Sequence, residues 1–131
     1  MCFRSDEIYF LTREDVLEIH RQCLMPEEPP EIIHEDLFDS ALNQPQASFG
    51  GEFLHRNIFE MSAAYLISFS KDHVFMSANK RVALNACLIF LQMNNHRLLL
   101  TNDEAIDLTT KCVTGEYTKE KIIEIIRNNT A

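Results

Sequence analysis

Apolar positions along the first part of the chain fall at helical spacing: Val16, Leu17, Ile19, Cys23 and Leu24 form one stripe. Thr12, with Asp15 three places on, supplies a capping-box-like start. Prolines in "MPEEPPE" interrupt that helix, and "PEEPPE" reads as a solvated linker in which Glu27, Glu28 and Glu31 receive no role. A short second helix is expected over residues 32–42. Periodicity then vanishes over residues 43–57, "NQPQASFGGEFLHRN", where Gly50 and Gly51 favour a loop or a small hairpin. Residues 58–70 and 82–93 are apolar nearly all round, the pattern of helices enclosed by others. Beyond them, Thr101 or Asn102 can cap a helix that runs to Val113, with Gly115 just past its end. Thr118 can cap a last helix carrying Ile122, Ile123, Ile125 and Ile126. The expected fold is all-α: a compact bundle of five or six helices around a central buried helix, with a possible β-hairpin.

Composition narrows the class. A chain of 131 residues has the size of one domain, so residues 1–131 are read as a single unit. Only three glycines are present, too few for an all-β fold with many tight turns. The formal net charge of −8 argues against a nucleic-acid partner, which needs a field of excess Lys and Arg. No apolar run is long enough to span a bilayer. Acidic residues in "MCFRSDEIYF" interrupt any export signal, so the expectation is a cytoplasmic protein with no membrane partner. Cys2, Cys23, Cys87 and Cys112 show no C-x-x-C spacing and are read as reduced, mostly buried thiols. His20, His34, His55 and His96 lack zinc spacing and receive no site role.

The chemistry concentrates in "HVFMSANKR", residues 73–81, between the two most apolar segments. A helix beginning near Asn79 has free backbone N–H groups in its first turn and the positive end of its dipole there. Lys80 and Arg81 add two cations where acidic residues are normally preferred. An anion such as phosphate resolves that arrangement: N–H groups from Ala78 to Arg81, both cationic side chains and the Asn79 amide would form its cradle. His73 would stand beside the anion as a general base, a role that suits imidazole at neutral pH. Phe75 would peg the loop into the core. The bland alternative is a histidine satisfied by backbone and a basic helix start exposed to water. A hydrolase built on Ser77 and His73 would need a third group to orient the base and an oxyanion hole.

The same nine residues resemble the H-x-F-x-[D/E]-[G/A]-N-[G/K]-R signature of the Fic/Doc family, and their Ala-Asn-Lys-Arg ending resembles its death-on-curing branch. "FDSALNQPQASFGGEFLH" and "ALNACLIFLQMNNHRL" are similar to the segment before the site and to the central helix of such toxins. The resemblance implies a Fic fold and the toxin of a type II toxin-antitoxin pair that transfers the γ-phosphate of ATP to a hydroxyl of elongation factor Tu and blocks translation. Carried over by position, His73, Lys80 and Arg81 would be catalytic. Phe75, Ser77, Ala78, Asn79, Lys80 and Arg81 would hold the nucleotide: Phe75 anchors the loop, Asn79 and the neighbouring N–H groups hold phosphate oxygens, and the cations neutralise the triphosphate. Phe49, Gly50 and Gly51 would form a flap that takes up the target segment as an added strand. A small antitoxin would restrain the toxin, since no internal [S/T]-x-x-x-E-[G/N] segment is present; "SFGGEF" fails at its last residue.

One position departs from the signature. Ser77 stands where the family has Asp or Glu, a ligand for the magnesium that bridges the phosphates. A neutral hydroxyl there implies a weakened metal site and weaker transfer. AMP transfer to a protein hydroxyl, and a nucleotide- or antitoxin-binding homologue without activity, therefore stay open as alternatives.

Overall fold

The computed structural model describes residues 8–131, so Cys2 and most of the N-terminal segment lie outside it. Helix α1 (Arg13–Cys23) opens on the expected capping box: Thr12 Oγ1 accepts the Asp15 N–H, and Asp15 Oδ2 accepts the Thr12 N–H. Helix α2 spans Glu35–Asn43 and is followed by a 3-10 turn at Gln44–Gln46. Strands β1 (Ser48–Phe49) and β2 (Glu52–Phe53) form a two-stranded antiparallel hairpin pairing Ser48 with Phe53 and Phe49 with Glu52. Its turn residues Gly50 and Gly51 have φ of 61° and 83°, left-handed backbone that glycine adopts without a Cβ clash. Helices α3 (Ile58–Lys71), α4 (Asn79–Met93), α5 (Asn102–Thr114) and α6 (Lys119–Asn128) complete the order.

The chain is thus all-α with one small hairpin, as its periodicity predicts. The second helix is the one element that starts late. Pro29 and Pro30 follow a turn at residues 26–28 and keep this stretch out of the helix, and residues 31–34 are drawn into pairing with the loop at residues 74–76. Ile33 and His34 donate their N–H groups to the Val74 carbonyl (2.9 and 3.2 Å), and Met76 donates to the Glu31 carbonyl (2.9 Å). Ile32 and Phe75 form an isolated antiparallel bridge.

Helices α3 and α4 pack against each other at the centre. Met61, Ala63, Tyr65 and Leu66 of α3 meet the fully buried Val82, Ala83, Ala86, Cys87, Phe90 and Leu91 of α4 in one continuous apolar cluster. Cys23, Cys87 and Cys112 are free thiols; burial pushes Cys87 up to about 12, so it is a core group and no nucleophile. No helix among the described residues is long and apolar enough to cross a membrane. At the far end, Arg97 and Ala131 exchange both backbone hydrogen bonds (3.0 and 2.8 Å), which clips the segment after α6 to the α4–α5 connection.

Two buried histidines give the fold a pH dependence. Burial holds His20 and His55 below the ordinary imidazole range, in His55 with help from Lys119. The unfolded chain therefore binds protons at higher pH than the native one, and stability is fully present only above the unfolded value. Thermal denaturation is expected to show a melting temperature that falls as pH is lowered from about 7 to about 5. A rising melting temperature over that window would contradict the assignment of neutral buried imidazoles.

Candidate functional site

The loop joining α3 to α4 is held by its own signature residues. The Asn79 amide bonds Phe75 from both sides: Oδ1 accepts the Phe75 N–H at 3.0 Å and Nδ2 donates to the Phe75 carbonyl at 2.8 Å. The Phe75 ring is fully buried, edge-on to Phe38 at 5.5 Å and stacked on His20 at 3.8 Å with the planes 12° apart. Two residues take left-handed backbone, His73 at φ 53° and Ala78 at φ 69°. Each such non-glycine residue costs about 1–2 kcal/mol, so the surrounding contacts must hold the turn in place.

That turn leaves the start of α4 open. Ala78 is the N-cap and provides no side-chain cap, and the first turn has no acidic residue. The first intrahelical bond is Val82 N–H to the Ala78 carbonyl (2.9 Å), which leaves the Asn79, Lys80 and Arg81 N–H groups without a carbonyl inside the helix. The Ala78 N–H also has no acceptor among the described residues. A left-handed residue followed by right-handed ones gathers successive N–H groups into an anion-binding concavity. Lys80 is exposed and makes no ion pair among the described residues. His73 is exposed at the other end of the loop.

Three site residues stand differently from their sequence expectation. Asn79 bonds Phe75 through both amide atoms, so its side chain shapes the loop from within. Ser77 donates its hydroxyl to the Pro29 carbonyl at 3.1 Å, which ties it to the α1–α2 connection. Arg81 is bound to protein: Nη2 donates to Glu28 at 2.6 Å and Nη1 to the Cys23 carbonyl at the end of α1. The hydrogen bond from Arg81 holds the Glu28 carboxyl below its ordinary range, and Glu28 raises the guanidinium in return. "PEEPPE" is therefore no mere solvated linker, because Glu28 supplies from within the chain an anion that the Arg81 position demands. Sequence gave no local sign of it, since Arg81 and Glu28 lie 53 residues apart.

His20 is the other residue that spacing arguments missed. It lies four positions after the buried Val16 on the inward face of α1, which is the signal that could have found it. Its Nε2 donates to the Ser77 carbonyl at 3.2 Å; a carbonyl only accepts, so Nε2 carries the proton.

Beside Arg81, α1 and α4 border a cleft of about 390 Å³ walled by Ile19, Leu24, Met25 and Ile89, with Gln22 and Asn85 as its amides. The hairpin is anchored at its base, where Phe53 packs on Phe10 (5.5 Å) and His55 bonds Gln44 (2.7 Å). Its tip is open: Phe49 is 83% exposed.

The residues present do not fit a magnesium site. Position 77 is neutral with its hydroxyl directed at Pro29, and no group of three or more His, Cys, Asp or Glu that could hold a metal ion occurs among the described residues.

A family model described as "Fic/DOC family" matches residues 10–91. The chain is 38% identical over 71 residues to "Protein kinase doc" of Escherichia phage P1, a match covering 54% of this chain and 56% of that protein. It is 30% identical over 115 residues to "Toxin Doc" of Mycolicibacterium smegmatis, covering 86% of this chain and 87% of the relative.

Proposed function

Because this chain belongs to the Fic/DOC family, we propose that it is a death-on-curing toxin whose α3–α4 loop binds the polyphosphate of ATP and transfers the γ-phosphate to a hydroxyl of elongation factor Tu. The observation that carries this reading is the open start of α4: unbonded N–H groups, no acidic residue and the exposed Lys80 follow directly on a left-handed turn.

In this mechanism His73 takes the proton of the attacking hydroxyl. The hydroxyl oxygen forms a bond to the γ-phosphorus while the bond from that phosphorus to the β,γ-bridging oxygen breaks, and ADP leaves. The N–H groups of Ala78 to Arg81 and the Lys80 ammonium stabilise the charge that moves onto the phosphate oxygens. Arg81 joins them to the extent that phosphate shares or displaces Glu28. Phe75 and Asn79 act earlier, by holding the loop in shape. Phe49, Gly50 and Gly51 present the hairpin edge to the target segment. The restraining partner is a small antitoxin, and the setting is cytoplasmic.

The test is to incubate the protein with elongation factor Tu and ATP labelled at either the γ- or the α-phosphate. Label from the γ-position supports the proposal; label from the α-position supports AMP transfer instead. Binding of ATP without transfer supports a non-catalytic homologue, a reading that neutral Ser77 and the Glu28–Arg81 pair favour. Ser77→Asp is expected to raise magnesium-dependent transfer about tenfold or more by restoring one carboxylate ligand. Unchanged transfer with and without the ion would show that position 77 does not limit the reaction.

A further inference from the structure

We infer that His20, a residue of α1 remote in sequence from the signature loop, is a positioning residue of the anion site: it fixes the Ser77–Ala78 peptide so that the Ala78 N–H faces the cradle. This rests on the proposal that the loop binds polyphosphate.

All described peptide bonds are trans, and in a planar trans peptide the C=O and the following N–H point in opposite directions. His20 Nε2–H holds the Ser77 carbonyl toward α1 at 3.2 Å. The N–H of that same peptide, on Ala78, must then point away from α1, and it has no acceptor among the described residues.

The same peptide sets the strained torsion. Ala78 has φ 69°, and rotating the Ser77–Ala78 peptide by half a turn would carry φ into the ordinary negative region. An alanine gains from that rotation, because it relieves the clash of Cβ in left-handed backbone. The rotation would also turn the Ala78 N–H inward and dismantle the concavity. His20 opposes it with a hydrogen bond that the rotated peptide cannot make. The imidazole is itself held fast: it is 3% exposed and lies flat on Phe75, which Asn79 clamps. One rigid unit therefore spans α1, the loop and the start of α4.

Two variants test this in the full chain, with inorganic triphosphate and ATP as probes. His20→Phe keeps a ring on Phe75 and removes the donor; His20→Gln keeps a donor and removes the stack. In His20→Phe the amide resonance of Ala78 should move and its coupling constant should report negative φ, while the Phe75 amide stays protected from exchange. Triphosphate affinity should fall about tenfold, as a rise in KM for ATP, and kcat should fall as well, because the Ala78 N–H also faces the charge that develops during transfer. Adding Ala78→Gly to His20→Phe should recover most of that affinity, because glycine has no Cβ strain to relieve; a general loss of stability would not be repaired at this one position. His20→Gln should retain the Ala78 torsion.

An Ala78 torsion unaltered in His20→Phe would overturn the inference, whether or not nucleotide binds. Were His20→Phe to unfold, loss of the torsion in folded His20→Gln would overturn it equally. If the native protein binds no triphosphate, the kinase proposal fails, and with it the anion role of His20, while the amide signals still establish whether His20 sets the peptide.

Discussion

His73→Asn is expected to lower phosphate transfer by about 10²–10⁴-fold while leaving ATP affinity within about threefold. Asparagine is the informative replacement, because His73 has φ of 53° and asparagine enters left-handed backbone as readily as histidine does. The loop is then undisturbed and only the base is lost. His73 is exposed, so stability should hardly change. Single-turnover transfer of γ-label to elongation factor Tu, beside a binding titration, separates the two effects. Transfer that stays within about tenfold of the native rate would remove His73 from the reaction.

Asn79→Ala should have the largest effect on the fold of the site. It deletes both bonds to Phe75 and leaves a buried N–H and a buried carbonyl without partners. Each orphaned group costs about 1–3 kcal/mol, so a loss of about 2–4 kcal/mol is expected in urea unfolding. Asn79→Asp should also be destabilised, since it keeps an acceptor for the Phe75 N–H but turns a second acceptor toward the Phe75 carbonyl. The measurement decides between two roles for this residue. Normal stability with weakened ATP binding would return the Asn79 amide to the phosphate; lost stability assigns it to the loop.

The electrostatics of the loop read differently once Glu28 is in place. From sequence, Lys80 and Arg81 at a helix start call for an external anion. In the fold, Glu28 satisfies Arg81 and leaves the N–H groups and Lys80 as the positive elements of the loop without a partner among the described residues. A phosphate bound there meets a site in which one of its two cations already has a carboxylate. Lys80 is thus the side chain best placed to respond to ligand, and Arg81 is the one that joins the helix to the α1–α2 connection.

What the sequence determined by itself is local. Helix periods, the capping box at Thr12, the helix cap at Thr101 or Asn102, the glycine turn at Gly50 and Gly51, and the open first turn of α4 depend on residues a few positions apart, where spacing alone sets who meets whom. The signature loop was legible for the same reason, because His73, Phe75 and Asn79 lie within one loop and one helical turn. What only the tertiary structure decided is every pairing across the chain. His20 reaches Ser77 over 57 residues, Arg81 reaches Glu28 over 53, and Ser77 reaches Pro29 over 48. No spacing rule encodes those meetings. They follow from α1 packing on α4, which brings a proline-rich connection against the loop and turns Asn79, Arg81 and Ser77 from apparent ligand-binding groups into groups already bonded to protein. The physical reason is that a buried polar group takes whatever partner the packing supplies, and packing is a property of the whole core.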